Sequence, residues 1–430
     1  MRGSSHRTRR PPAPRSRPPV AADLAIEAVG AQGDGVSAGP VFTPLTLPGE
    51  RVLALVEGER AELETVLAPS PDRVQPPCPH FGACGGCALQ HWDHAPYLAW
   101  KVEQVRLALA REGIETDLAP AFAAGPGSRR RVALHARKLG RDGVALGYKA
   151  RRSWTLVEID ACPIADPRLV AALPALRRQA APLFEHPQSA PTLHATVSET
   201  GIDVDITGVE RRSGGLSADA RVRIAAVAGE ADLARVTLGG ETLFQSRSAV
   251  VRFGAARVAL SPGAFLQAVP AAEEAMAAFT LEAVAGAGHV ADLFCGLGTF
   301  SFRLAEQARV LAADGDVAAI AALKAGLGSA PQLKPIVAEA RDLFRRPLLA
   351  VEMKRIDAVV FDPPRAGADV QAREIARSGV ARAVGVSCNP VTFARDAGIL
   401  IAGGFRLERV LPVDQFLWSP HIELVGVFTR

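Results

Sequence analysis

His289-Val290-Ala291-Asp292-Leu293-Phe294-Cys295-Gly296-Leu297-Gly298-Thr299 passes from an apolar run directly into a Gly-x-Gly turn. A short apolar stretch closed by glycines, which allow tight backbone conformations, reads as a buried strand feeding a helix. The unit then repeats. Residues 300–307 read as a helix, 309–313 as a second strand, 316–327 as a helix, and 335–338 and 357–361 as strands. A helix near 370–377, a strand at 383–387 and a helix at 391–402 continue the pattern. Two strands, 406–413 and 422–429, come last with no helix between them. Alternation of this kind, ending in a hairpin, describes an α/β fold: a doubly wound, Rossmann-like sheet with a late antiparallel strand.

Such sheets bind ligands at the C-terminal ends of their parallel strands. Two neighbouring strand ends carry Phe361-Asp362-Pro363-Pro364-Arg365 and Val386-Ser387-Cys388-Asn389-Pro390. A thiol at that edge is poised for attack rather than packing. Asp-Pro-Pro loops that grip an exocyclic amino group continue with an aromatic residue; here Arg365 follows, so a different chemistry is expected. Carbon 5 of a uracil is a poor nucleophile until a thiolate adds to carbon 6, after which it can take a methyl group. A base must then remove the carbon 5 proton so that the thiol can leave. Cys388 is the expected nucleophile. Glu423, an acid in an apolar strand where burial would raise its pKa, is the expected base. Glu423 paired with Arg409, and Asp362 as a simple cap, stay open as plainer readings. Cys295 reads as packing only.

The glycine turn suits a nucleoside-like cofactor. A dinucleotide fingerprint wants a third glycine or alanine, but Ser301 stands there. Asp314 ends the second strand, where a carboxylate can accept from a ribose diol. These features point to S-adenosylmethionine rather than NAD, although the glycines could serve the turn alone and Asp314 could cap the next helix.

The 430 residues, 48% of them hydrophobic, supply material for two or three domains. No apolar run approaches the roughly 20 residues of a membrane helix, so a soluble protein is expected; a cytoplasmic location and a monomeric state are separate expectations. Net charge is only +4, but Arg2, Arg7, Arg9, Arg10, Arg15 and Arg17 form an acid-free basic tail over residues 1–19. Its prolines spoil the amphipathic helix of a transit peptide. Cys78, Cys84, Cys87 and Cys162 lie in polar, Pro- or Gly-rich surroundings and read as metal ligands rather than disulfides. Spacing alone suits a structural zinc ion and an iron–sulfur cluster equally.

Residues 20–72 read as a small β unit with turns at Gly33-Asp34-Gly35 and Leu47-Pro48-Gly49-Glu50, consistent with an OB-like barrel. A helix is expected over 96–111, with Leu98, Val102, Val105 and Leu109 on its apolar face. Residues 129–260 read mostly as strands and turns, with a helical stretch at 165–185.

With those residues in view, the chain from 20 to 430 resembles the RNA 5-methyluridine methyltransferases that carry a TRAM domain and an iron–sulfur cluster. The motifs are Cys78-x5-Cys84-x2-Cys87 running to Leu89-Gln90-His91, Asp292-Leu293-Phe294-Cys295-Gly296, Phe361-Asp362-Pro363-Pro364-Arg365, Ser387-Cys388-Asn389-Pro390 and His421-Ile422-Glu423. The resemblance implies Cys388 as nucleophile and Glu423 as proton acceptor. It implies a [4Fe–4S] cluster on Cys78, Cys84, Cys87 and Cys162, and cofactor contacts from Gln267, Phe294, Asp314, Asp342 and Asp362. It further implies a TRAM domain over 20–72 and an iron–sulfur loop with a central RNA-binding domain over 73–260. A methyltransferase domain would occupy 261–430, with the helix after the cluster loop packed on it. The chain departs from the family pattern at Ala268-Val269, Thr299 and Asp314, all on the cofactor side.

RNA is favoured as substrate by the OB-like unit, the tail and the Arg129-Arg130-Arg131 and Arg151-Arg152 clusters, which could contact phosphates. The target uridine must leave any stack to reach Cys388. A structured RNA is expected, 23S rRNA ahead of tRNA. DNA cytosine-5 methyltransferases place their cysteine after the fourth strand, where this chain has Asp-Pro-Pro-Arg. A non-catalytic RNA-binding protein on this fold would not need Cys388 and Glu423, and a redox enzyme would need electron-transfer features that are not found.

Overall fold

The computed structural model of the protein describes residues 18–140, 143–210 and 215–430. All but the last two residues of the basic tail lie outside the described residues. The chain divides into two compact units, Met1–Val74 and Gln75–Arg430.

The first unit is a closed barrel of five strands, Val20–Val29, Gly35–Ser37, Val41–Thr43, Arg51–Glu57 and Arg60–Ala68. It closes because Val20–Val29 pairs with Gly35–Ser37 on one side and with Arg51–Glu57 on the other, leaving no open edge. Ile26, Val52, Ala54 and Ala61 fill its interior. The Leu47-Pro48-Gly49-Glu50 turn depends on Gly49, which has φ +83°. Glu50 folds back so that its carboxylate accepts from Leu47 N at 2.8 Å and from Arg73 Nε at 2.5 Å. Burial pushes the Glu50 carboxyl up, but Arg73 and the Leu47 and Ser70 N–H groups outweigh it and hold the pKa below its usual value.

The second unit contains two large sheets. The central one has seven strands in the order Leu156–Glu158, Gly143–Lys149, Arg131–Leu139, Thr192–Ser198, Gly201–Thr207, Arg235–Leu238 and Glu241–Gln245. All its neighbours are antiparallel except Gly201–Thr207 and Arg235–Leu238. That parallel pair requires a crossover, which the helix Ala218–Glu230 supplies. The sequence reading of mostly strands and turns misses this helix. It also misses Pro270–Ala283, whose buried face is built of small residues such as Ala272 and Ala277.

The C-terminal sheet is built from β1 (His289–Leu293), β2 (Arg309–Asp314), β3 (Ile336–Ala340), β4 (Ala358–Phe361), β5 (Arg382–Ser387), β6 (Arg406–Asp414) and β7 (Glu423–Thr429). The order is β3-β2-β1-β4-β5-β7-β6, with β1 to β5 parallel and β7 antiparallel to both its neighbours. The sheet and its late antiparallel strand are those expected from the sequence. Consecutive residues alternate between two cores. Val290, Val360, Val384 and Val425 enter one, and Ala291, Val359, Ala383 and Leu424 the other, so both faces are covered. Each such fully buried Val or Leu contributes roughly 1.5–3 kcal/mol.

The helix His94–Arg111 starts at Asp93, whose side chain accepts from Ala95 N. Its Val105, Ala108 and Leu109 join the core formed by Phe361, Ile375 and Leu400. Two short strands beyond it, Asp117–Leu118 and Phe122–Ala123, pair with β6. The buried face of this helix is the expected one at Val105 and Leu109 but not in its first turns. Leu98 and Val102 are only half-buried, while Tyr97 and Lys101 are fully buried. A lysine can occupy that face because Asp414 meets it there. The helix expected over 300–307 shortens to Ser301–Leu304.

Candidate active site and cysteine cavity

Sheet register assembles the site. Ser387 on β5 pairs with Leu424 on β7, so the residues one step beyond, Cys388 and Glu423, face each other at the ligand edge. Leu293 pairs with Phe361, which sets Asp362 beside the end of β1, and Asp362 N donates to Leu293 O at 3.2 Å. Because β7 runs antiparallel, it is its first residue that lies at this edge.

The two strand-end loops are tied together. Asn389 Oδ1 caps its own helix by accepting from Val391 N, while Asn389 Nδ2 donates to Arg365 O at 3.1 Å. Thr392 Oγ1 donates to the same carbonyl at 3.2 Å. Gly367, with φ +79°, permits the turn behind Arg365, and Asp396 accepts from Ala368 N at 2.6 Å. Asp362 therefore sits on a braced loop rather than serving as a cap.

Burial dominates the electrostatics here. Glu423, 4% exposed, is pushed up to about 7 by burial, opposed by a hydrogen bond from Gln415. Asp362 is raised well above the usual carboxylate range by burial and then by the Glu423 charge. The half-buried Cys388 thiol is pushed up to about 11 by burial, then by Glu423 and Asp362, with Arg365 opposing. Arg409 pairs with Glu282 at 2.7 Å and not with Glu423.

On the cofactor side, Phe294 adopts φ +60° and its ring meets that of Phe344 at 5.5 Å. Gly296 has φ +53° and open space where a Cβ would stand, whereas a Cβ on Gly298 would collide with Phe302 and Leu323. Both glycines take a left-handed backbone, with φ +92° at Gly298, but the first stands beside open space and the second allows close helix packing. Asp314 accepts from Gly296 N at 2.9 Å and Asp316 N at 2.7 Å, leaving lone pairs on both oxygens. Asp316, not Asp314, caps the following helix. Asp342 accepts from Phe344 N and Arg345 N. Gln267 Nε2 donates to Asp362 Oδ2 at 3.1 Å, which joins that residue to the β4 end.

Sequence reasoning missed several site groups. Asp292 is fully buried and accepts from Ser301 Oγ at 2.5 Å, with Oδ1 unpartnered, and burial pushes its pKa up to about 7. Asp414 is held by Lys101 Nζ at 2.5 Å and by Tyr97 OH at 2.7 Å, with Phe416 N at 3.1 Å. Burial pulls the Lys101 ammonium down to about 8 against the pull of Asp414. Gln415 joins Gln267 and Glu423. An acid and an amide nine and eight residues before Glu423 carry no motif. Only the polar Asp414-Gln415 pair interrupting an apolar run offered a signal.

Cys78, Cys84, Cys87 and Cys162 line a single cavity of about 360 Å³, with Phe81, Tyr148 and Arg129 among its walls. Gly85 N donates to Lys149 O, and a Cβ on Gly85 would strike that carbonyl at 2.7 Å, so glycine lets the loop lie against its neighbour strand. Gln90 Oε1 accepts from Cys78 N at 3.2 Å. Burial pushes Cys87 up to about 12 and also raises Cys84 and Cys162, with the other thiols adding to each. Among the described residues, no group of three or more His, Cys, Asp or Glu side chains is arranged to hold a metal ion.

The arginine clusters divide. Arg130 is 7% exposed and binds Gln267 O and Glu273, so it braces the site and is removed from the expected phosphate contacts. Arg129 lines the cysteine cavity, and Arg152 is exposed. Among the described residues no helix is long and apolar enough to cross a membrane.

A family model described as tRNA (uracil-5-)-methyltransferase matches residues 255–430. The chain is 63% identical over 413 residues to an uncharacterized RNA methyltransferase of Caulobacter vibrioides, covering 95% of this chain and 100% of that one. It is 35% identical to a Halomonas elongata protein named 23S rRNA (uracil(1939)-C(5))-methyltransferase RlmD, over 93% and 88% of the two chains. The structure resembles that of Pyrococcus abyssi tRNA (uracil-54, C5)-methyltransferase, solved in complex with S-adenosyl-L-homocysteine. That likeness has a TM-score of 0.73 at 22% identity over 95% and 99% of the chains, and it speaks for the shared fold. With a thiol and a buried carboxyl facing each other across the ligand edge of a methyltransferase sheet, the chain belongs to the S-adenosylmethionine-dependent RNA (uracil-C5-) methyltransferases.

Proposed function

We propose that this protein forms 5-methyluridine in 23S rRNA through Cys388 and Glu423. The observation that carries the reading is the β5–β7 register, which faces the thiol with a carboxyl whose pKa stands near 7. The half-buried Cys388 gives its proton to solvent as sulfur adds to carbon 6 of a flipped-out uracil. The displaced electron pair makes carbon 5 nucleophilic. S-adenosylmethionine, when bound, supplies an electrophilic methyl group. Glu423, as carboxylate, then takes the carbon 5 proton; that bond's electrons restore the carbon 5–carbon 6 double bond, and the carbon 6–sulfur bond breaks to return the thiolate.

For the cofactor, the open space at Gly296 and the spare lone pairs of Asp314 fit a nucleoside. Asp314 would accept from ribose hydroxyls, with Phe294, Asp342, Gln267 and Asp362 around it. Four thiols in one cavity with no lining carboxylate suit soft, thiolate-bound metal. The cysteine spacing suits either metal, and on the resemblance of the Cys78-x5-Cys84-x2-Cys87 motif we assign Cys78, Cys84, Cys87 and Cys162 to a [4Fe–4S] cluster, with structural zinc as the alternative. It would supply a rigid staple between the loop and the central sheet. The barrel at residues 20–72 is assigned as a TRAM-type RNA-binding unit, residues 73–260 as the central domain and 261–430 as the methyltransferase domain, in a monomeric cytoplasmic enzyme. The 23S rRNA target is favoured by the RlmD relative; tRNA is the other outcome of the test.

The test incubates the protein and S-adenosylmethionine with 5-fluorouridine-substituted 23S rRNA or tRNA. A covalent protein–RNA adduct that Cys388→Ala abolishes is expected on 23S rRNA. An adduct on tRNA alone would reassign the target, and none on either RNA would sink the reading.

A further inference from the structure

Gln415 is 2% exposed and uses both ends of its amide. Its Oε1 accepts from Ala268 N at 3.0 Å, an N–H that can only donate, so Nε2 must face the other way. Nε2 donates to Glu423 Oε2 at 2.9 Å and to Gln267 Oε1 at 2.7 Å. That second bond fixes Gln267 in turn, leaving its Nε2 to donate to Asp362 Oδ2 at 3.1 Å. Two neutral amides thereby join two buried carboxyls, and neither amide can be turned round without setting donor against donor, at Ala268 N for Gln415 and at Gln415 Nε2 for Gln267. The backbone beneath is equally constrained. Asp414 is clamped by Lys101 and Tyr97, and Ala268 O accepts from Arg130 N at 2.9 Å.

We propose that Gln415 is a positioning residue for the elimination half of the reaction, resting on the assignment of Glu423 as proton acceptor. Its amide binds one carboxyl oxygen of Glu423, Oε2, so that Oε1 is the oxygen that meets the carbon 5 proton. It also ties the acceptor to the Asp362 loop, so the acid that ends the reaction and the loop beside the cofactor keep one spacing. An amide suits the task because it donates without ionising, and no proton passes along it between the carboxyls. The other charged or titratable groups around Glu423 are Asp362 after β4, Cys388 and Arg365 on the braced loops, His421 ahead of β7, and the Lys101–Asp414 pair at the end of β6.

The experiment follows two events separately in RNA carrying tritium at carbon 5 of uridine: tritium release, and the covalent adduct. Gln415→Met keeps the side-chain volume and removes the donor. The expected result is tritium release slowed about tenfold or more, with methylated adduct accumulating on ordinary uridine RNA. Adduct formation on 5-fluorouridine RNA, which needs no proton removal, stays within about threefold of the unmodified protein. Unchanged tritium release, or loss of both events in equal proportion, overturns the proposal. Should Gln415→Met lack a cooperative thermal transition, Gln415→Glu decides. A third carboxyl beside Glu423 moves the rising limb of tritium release to higher pH by about half a unit or more, and an unmoved limb overturns the proposal. Failure of the unmodified protein to form a Cys388-dependent adduct would instead strike the assignment of Glu423 and Cys388 beneath it.

Discussion

Two parts of the second unit carry half-buried thiols, and their neighbours set them apart. Cys388 stands with Glu423 and Asp362, and its thiol is pushed up by burial and by those carboxylates. The cavity thiols stand with one another, with Arg129 and two histidines lining the wall and no carboxylate. A thiol beside a carboxyl that can take the carbon 5 proton has a way out of its adduct, so it can attack and be expelled. Thiols beside thiols gain most by sharing a soft cation. Burial raises Cys388 and, in the cavity, Cys84, Cys87 and Cys162, so it is the charge of the neighbours, carboxylates or thiols, that distinguishes nucleophile from ligand.

The sharpest break of that comparison is Cys388→Ala. Methyl transfer and the 5-fluorouridine adduct should vanish, while iron and sulfide content stay unchanged by chemical analysis. Cys87→Ala should do the reverse. Iron and acid-labile sulfide should fall from roughly four each per chain to near zero, and zinc in place of iron in the unmodified protein would defeat the cluster assignment. Glu423→Gln retains the shape but cannot take a proton. Turnover should drop by about 10²–10⁴, with methylated adduct trapped on a denaturing gel.

Lys101→Met probes what the two regions share. Asp414 would remain buried without its cation, costing about 3–5 kcal/mol in a denaturant titration. Phe416 and His421, which line the cysteine cavity, lie on the same segment as Gln415. The smallest effect is pH dependence. With the Glu423 pKa raised to about 7, the acid is protonated and unable to accept below that value. Tritium release from a preformed methylated adduct should therefore fall about tenfold per unit below pH 7 and level off above it. A flat profile from pH 5 to 9 would remove Glu423 as the acceptor.

The C-terminal sheet was legible because its strands are buried on both faces and so read as apolar runs such as Val384 and Val386 or Val425 and Val427. The strand-end groups were legible because a lone acid or thiol at the end of such a run stands out. Lys101 was not. Its partner Asp414 lies 313 residues away, and without that partner a lysine on a helix reads as solvent-facing. Arg130 misled for the same reason, its burial being decided by Glu273 and Gln267. The helix Pro270–Ala283 escaped notice because alanines on every side blur its periodicity.

The β5–β7 ladder has a use beyond holding the sheet together. Side chains on a strand change face at every residue, so sliding β7 by one position would carry Glu423 off the edge and turn its neighbours inside out. The ladder is in effect a gauge with only one admissible setting, and the segment 415–422 that feeds it has its length fixed by that setting. Inserting or deleting a single residue there would leave a well-formed enzyme surface in which the group that starts the reaction and the group that finishes it no longer belong to the same site.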